Sequence, residues 1–361
     1  MPIVPLYGHA ATRDRLGDAL LRGTLPASLL LTGPRGVGKQ RLALWLAQAA
    51  LCERGQAKPC GVCQQCRFSL ELTHPDLHWF FPRPRLRDTD PSVADVRADY
   101  AETVADRVKA GGLYTAPGGM EALYVAAVRA LVQLASISPA LGRRKVFVVG
   151  DAERMVAQEG ADQAANAFLK LLEEPPADTL LVLTSSEPGA LLPTIRSRVA
   201  CLRVAPLPDA DVAAFLGDPV VQGALGAGAS VDERVRLAGG APGSLVGGGE
   251  RGAAVRDARL LLDAAMRGTR AERLRAAFGR GASGARGAFS DTLDALTVAL
   301  RDEAFAASAP GPDGTPRDPA RAVGASRAVA WVEEAKGRAD GNVSPQLISA
   351  WLLREIAGAL R

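Results

Sequence analysis

An α/β fold on a parallel sheet, followed by a helical second half, is predicted by three observations. Residues 28–32 form a short apolar run that enters a turn with Gly33, Gly36 and Gly38, then an amphipathic stretch with Leu42, Leu44, Trp45 and Leu46. Strand, glycine turn and helix in that order frame a phosphate-binding loop. Residues 145–149 and 180–184 are continuously apolar and rich in branched side chains, the pattern of parallel strands buried on both faces. Beyond residue 253, apolar residues recur at helical spacing around 254–266, 289–307, 326–339 and 345–360.

Taken in order, the chain opens with a loop over 4–9 and a helix through Leu16, Ala19, Leu20 and Leu21. Tyr7 and His9 either lie over a nucleotide base or serve as packing residues. Next, Gly33, Gly36 and Gly38 let backbone N–H groups curl around an anion. The helix behind them adds its positive end, and the Lys39 ammonium reaches for the outer phosphates. The following position of the pattern calls for Ser or Thr, whose hydroxyl ligates Mg²⁺. Here it is Gln40.

After that helix come Cys52, Cys60, Cys63 and Cys66, with seven, two and two residues between them. Four thiolates at this spacing close a tetrahedral shell suited to a structural Zn²⁺; free buried cysteines and an iron–sulfur cluster are the alternatives. No acid or base stands beside them, so the site is expected to be closed and non-catalytic. His74 and His78 read as turn and surface residues around an aromatic strand, 78–81. Residues 82–119 form a polar insertion with a helix over 93–108 and no assignable chemistry.

A helix is expected over 120–137, then a turn, then the strand 145–149. That strand should end in two acids, one for Mg²⁺ and one to activate water. The first position is Gly150 and the second Asp151, so with Gln40 in the loop both protein ligands of the metal are missing. Successive strand side chains face opposite ways, and Asp151 cannot replace its neighbour. A helix over 161–174 stops at Pro175 and Pro176, the strand 180–184 ends in hydroxyls, and a further strand ends near Val204. Between the last two strands, Arg196 and Arg198 flank Ser197 in an otherwise apolar segment. Pro206 and Pro208 mark a domain boundary, followed by short helices over 209–216 and 231–238, and the Gly/Pro-rich residues 309–324 read as a loop.

Bulk properties narrow the classes. The 361 residues suffice for two or three domains, and 48% hydrophobic with 23% charged residues describes an ordinary globular protein. No run of ~18 apolar residues occurs, and residues 1–5 lack the features of a signal peptide. A cytoplasmic location is therefore expected. A net charge of +4 does not by itself demand a nucleic acid.

Together these pieces resemble the clamp-loader branch of the AAA+ family, as found in bacterial DNA polymerase III. The resemblance is carried by the phosphate loop, the four cysteines and His74-Pro75-Asp76. It is carried further by Asp151 to Met155, the block 166–176, residues 194–198, Gly239 to Gly243 and residues 342–347. It implies a RecA-like domain over 1–205 with an inserted zinc module at about 52–66. A small helical lid over 206–252 and an all-α collar over 253–361 that oligomerises would follow. It also implies a role for Arg198: with Ser197 it matches the first two positions of the motif that places an arginine in the ATP site of the neighbouring subunit, although Val199 departs at the third. Gln40 and Gly150 then fit a subunit that donates an arginine without turning over ATP. Lys39 and the glycines leave ATP or ADP binding open. The implied partners are gamma/tau-type motor subunits and a delta-type subunit in a hetero-pentamer, with the sliding clamp and primer–template DNA reached through the assembly. Two alternatives stand beside this reading: an active AAA+ motor subunit, and a zinc-bearing nucleic-acid-binding module.

Overall fold

The computed structural model describes residues 2–54, 57–88, 90–113, 121–155, 162–225, 230–246, 249–279, 286–309, 315–340 and 343–360. The chain divides into two compact units, Met1–Val246 and Gly247–Arg361.

The first unit is built on five parallel strands: β1 (Ser28–Thr32), β2 (Leu77–Phe80), β3 (Lys145–Val149), β4 (Thr179–Ser185) and β5 (Ala200–Arg203). Their order across the sheet is β2-β3-β4-β1-β5. The expected parallel α/β class is thus met. Strands β3 and β4 are buried at every position, which is why their sequences show no alternation. The helices of this unit are α1 (Ala10–Leu21), α2 (Lys39–Leu51), α3 (Gln64–Leu70), α4 (Val93–Lys109), α5 (Val125–Ala135), α6 (Asp162–Glu173), α7 (Pro193–Arg196), α8 (Asp209–Leu216), α9 (Pro219–Leu225) and α10 (Val231–Ala238). Leu42 and Leu46 of α2, Leu131 of α5 and Phe168 of α6 pack with Leu30, Phe147 and Leu181 of the sheet in one core. A smaller cluster, Leu207, Val212, Leu216 and Ala238, holds α8 and α10 together.

The helix expected over 120–137 begins only at Val125. Residues 121–123 are extended instead: Ala122 bridges Arg83 and Leu123 bridges Met155. Residues 114–120, in the expected insertion, lie outside the described residues. The remainder of the insertion is mostly α4, which opens with a reciprocal cap between Ser92 and Asp95. It is tied to the β2 end by Tyr100 Oη donating to Phe81 O (2.6 Å) and by a two-point Arg83–Asp99 pair (3.0 and 2.9 Å).

His74 and Asp76 are structural. Asp76 is buried and accepts backbone N–H bonds from Ala140, Leu141 and Gly142 at 2.6–2.8 Å, pinning the turn before β3. Burial alone would raise its pKa; the three N–H donors and the His74 charge outweigh that and lower it.

The second unit consists of α11 (Gly249–Arg267), α12 (Arg270–Phe278), α13 (Arg286–Ser308), α14 (Pro319–Asp340) and α15 (Pro345–Ala359). Leu261, Phe289, Leu293, Leu296, Val332, Leu352 and Ile356 interdigitate as its own core. The loop expected over 309–324 is shorter than read, because α14 already starts at Pro319, a residue suited to a first helical turn. Among the described residues, no helix is long and apolar enough to cross a membrane.

Candidate functional site

The phosphate-type loop joins the carboxyl end of β1 to α2. Gly36 carries φ +77 and Gly38 φ +97, backbone that L side chains rarely adopt. A β-carbon on Gly36 would also lie 2.2 Å from Ser244 N, because residues 243–244 sit directly on the loop and Gly243 N–H donates to Gly36 O at 2.9 Å. Val246, following that segment, is buried. His9 covers the loop from the other side, its Nε2 2.8 Å from Val37 O. Tyr7 turns away: its hydroxyl donates to Asp218 at 2.9 Å and its ring meets Phe215 edge-on. Tyr7 is thus engaged in packing within this unit.

Lys39 is 5% exposed, and its three ammonium protons are all spent inside the protein. They go to Gly33 O and Pro34 O at 2.8 Å each, and to Ser186 Oγ, at the end of β4, at 2.9 Å. Burial pushes its pKa down to about 8, against the pull of Asp151 and Glu153 and with Arg35 adding to the fall. Glu153 accepts from Ser186 N–H at 3.0 Å, and burial beside Asp151 raises its pKa.

The two departures from the nucleotide pattern meet in space. Gln40 is buried, with Oε1 accepting from the Trp79 indole N–H at 2.9 Å and Nε2 donating to Asp151 Oδ2 at 3.3 Å. A β-carbon built on Gly150 would fall 2.4 Å from Gln40 Oε1 and 2.6 Å from its Cδ. The carboxamide therefore fills the volume that any side chain at position 150 would need. The residues present do not fit Mg²⁺: the single side-chain oxygen of Gln40 accepts from an indole, Oδ2 of Asp151 accepts from the Gln40 amide, and position 150 offers no ligand. Asp151 itself has φ +46 and donates its N–H to Thr184 Oγ1 at 3.2 Å. The sequence signals for these partners are the aromatic strand 78–81 for Trp79, the hydroxyls 184–186 for Ser186 and the block 151–155 for Glu153, none of which assigns them to this corner.

Arg198 lies elsewhere. Leu29 of β1 pairs with Ala200 of β5 in parallel register, so Arg198, two residues earlier, sits at the amino ends of the strands. The phosphate-type loop leaves the carboxyl end of β1. The strand between spans about 13 Å. Arg198 thus lies at the opposite end of the strands from its own loop. Its Nε donates to Glu173 at 3.0 Å, and Ser197 Oγ donates to Thr194 O at 3.1 Å. The buried Ile195 anchors this segment.

Cys52, Cys60, Cys63 and Cys66 converge with their sulfurs within 4.8 Å of one another. Cys52–Cys63 and Cys60–Cys66 are 4.0 and 3.9 Å apart, too long for a disulfide and close to the ~3.8 Å edge of a tetrahedral Zn–S₄ shell. Backbone N–H groups of Cys60, Cys63 and Cys66 each face a sulfur, at 3.4–3.5 Å, which favours thiolates. Those of Val62 and Cys63 pull Cys60 down to about 6, while burial pushes Cys66 up. Gln48 of α2 donates to Cys66 O at 3.1 Å and docks the module on the loop helix. These residues can hold a metal ion.

The family described as DNA polymerase III, delta subunit, matches residues 8–208, more than half of the chain. The chain is 37% identical to DNA polymerase III subunit delta' of Pseudomonas aeruginosa over 183 residues, 50% of this chain and 43% of that protein. It is 31% identical to subunit delta' of Escherichia coli over 220 residues, 60% and 52% respectively. Subunit gamma/tau of Mycobacterium tuberculosis is 31% identical over 194 residues, 54% and 27%. The chain thus spans about half the length of the delta' relatives it matches.

Proposed function

The chain belongs to the DNA polymerase III delta-subunit family, and on that premise we propose that it works as a non-catalytic, delta'-type subunit of a clamp loader. In this reading it helps place a sliding clamp on primer–template DNA, beside gamma/tau-type motor subunits and a delta-type subunit in a hetero-pentamer. Residues 206–252 act as the lid, residues 253–361 as the oligomerising collar, and the four cysteines hold a structural Zn²⁺.

One observation carries the reading: the Gln40 carboxamide occupies the corner where a nucleotide's metal would need a hydroxyl and a carboxylate. A chain so altered contributes to ATP chemistry only through another subunit, and Arg198 is the residue suited to that. Its guanidinium is always charged and forked, and it meets phosphate oxygens with paired N–H bonds as charge builds there. The direction of the sheet supports action in trans, since Arg198 lies at the strand ends opposite its own loop.

The test is a reconstituted complex carrying wild-type chain or Arg198→Ala. The expected outcome is normal assembly with turnover at the facing ATP site lowered by about 10³-fold or more. Unchanged turnover at every site would contradict the assignment.

A further inference from the structure

The Arg198 guanidinium is held at two of its three nitrogens. Nε donates to Glu173 Oε2 at 3.0 Å, and Nη1 donates to Thr194 O at 3.1 Å and to Ser197 Oγ at 3.3 Å. A guanidinium carries five N–H protons; the two on Nη2 donate to no group among the described residues. Arg198 and Glu173 side chains are 32% and 59% exposed.

Glu173 is the last residue of α6, where Glu174, Pro175 and Pro176 follow. Proline cannot continue a helix, so the end of α6 is fixed at this place. A negative charge there opposes the helix dipole, which favours cations at a carboxyl terminus. Helix stability therefore gives no reason for a carboxylate at 173. The arginine across from it does. Nothing else in the described residues bonds to Glu173.

We propose that Glu173 is a positioning residue for Arg198. By accepting from Nε it fixes the plane of the guanidinium and leaves the two Nη2 protons to meet the terminal phosphate oxygens of a nucleoside triphosphate held by the neighbouring subunit. The inference rests on the trans-arginine reading above. Thr194 O and Ser197 Oγ support the same plane from α7 and the residue after it.

The experiment is a double-mutant cycle in the reconstituted complex, reading kcat and KM for ATP separately. Glu173→Ala is expected to lower kcat about two- to fivefold, the range a part-exposed ion pair spans, at unchanged KM. Glu173→Gln, whose amide oxygen still accepts from Nε, is expected to lose less. In an Arg198→Ala background, Glu173→Ala should have no further effect. If Arg198→Ala lowers kcat while Glu173→Ala is silent, or acts equally without the arginine, the positioning role is overturned and the trans arginine stands. If Arg198→Ala is itself without effect, both fall.

Discussion

At the scale of single residues, Gln40 and Gly150 form one contact. The amide of the first lies where the β-carbon of the second would be, 110 positions later in the sequence. Gly150→Ala in the wild-type chain is therefore expected to cost about 1–3 kcal/mol through overpacking. In a Gln40→Ser background, where the space is vacated, the same change should cost close to nothing. Urea unfolding of the four proteins measures this coupling. Both departures were legible in the sequence as separate absences from a known pattern. Their mutual contact was not, because local spacing carries no information about which side chain fills which gap. The same holds for Asp76, readable as an acid after His-Pro but not as the acceptor for three N–H groups some 65 residues on.

His78 adds a pH dependence. It stacks on Phe147 with centroids 4.8 Å apart, and burial pushes its pKa down to about 4, with Arg97 adding and Asp76 opposing. Between that value and the ordinary 6.5, the unfolded chain binds a proton that the folded chain does not. Stability from the neutral ring is thus complete above about pH 6.5 and is lost as pH falls toward 4, by roughly 3 kcal/mol in all. His78→Phe should flatten the slope of unfolding free energy across that window. An unchanged slope would mean that other groups dominate it.

At the scale of elements, the zinc-type module depends on four sulfurs and little hydrophobic burial. Cys60→Ser is expected to abolish binding of about one Zn²⁺ per chain, measured by elemental analysis, and to lower Tm by on the order of 5 °C. Full zinc content in that variant would contradict the four-thiolate assignment. The module was legible because its ligands lie within fifteen positions of sequence. Strands β1, β3 and β4 were legible as well, since burial on both faces writes a continuous apolar run. Helix α9 is not legible in the sequence, being short and holding few buried residues. The start of α5 lies later than its pattern suggests because Ala122 and Leu123 extend the helical spacing, while their bridges to Arg83 and Met155 depend on distant partners.

At the scale of the whole molecule, the parallel sheet gives the chain two chemically different ends. Its carboxyl ends carry a phosphate-type loop whose lysine is absorbed by its own carbonyls and by Ser186. Its amino ends carry Arg198, whose Nη2 protons donate to no group among the described residues. Within the clamp-loader reading, the first end is a fixed structural joint and the second is the contribution to catalysis. The all-helical unit supplies a core of its own.

In the clamp-loader reading this chain does not itself turn over ATP. Steady-state ATP hydrolysis by the purified chain with Mg²⁺, beside a Lys39→Ala control, tests it most directly. No turnover above the control is expected, because Gln40 and Gly150 leave Mg²⁺ without protein ligands. Turnover that disappears in Lys39→Ala would contradict it and make the chain a motor with a metal shell of another kind.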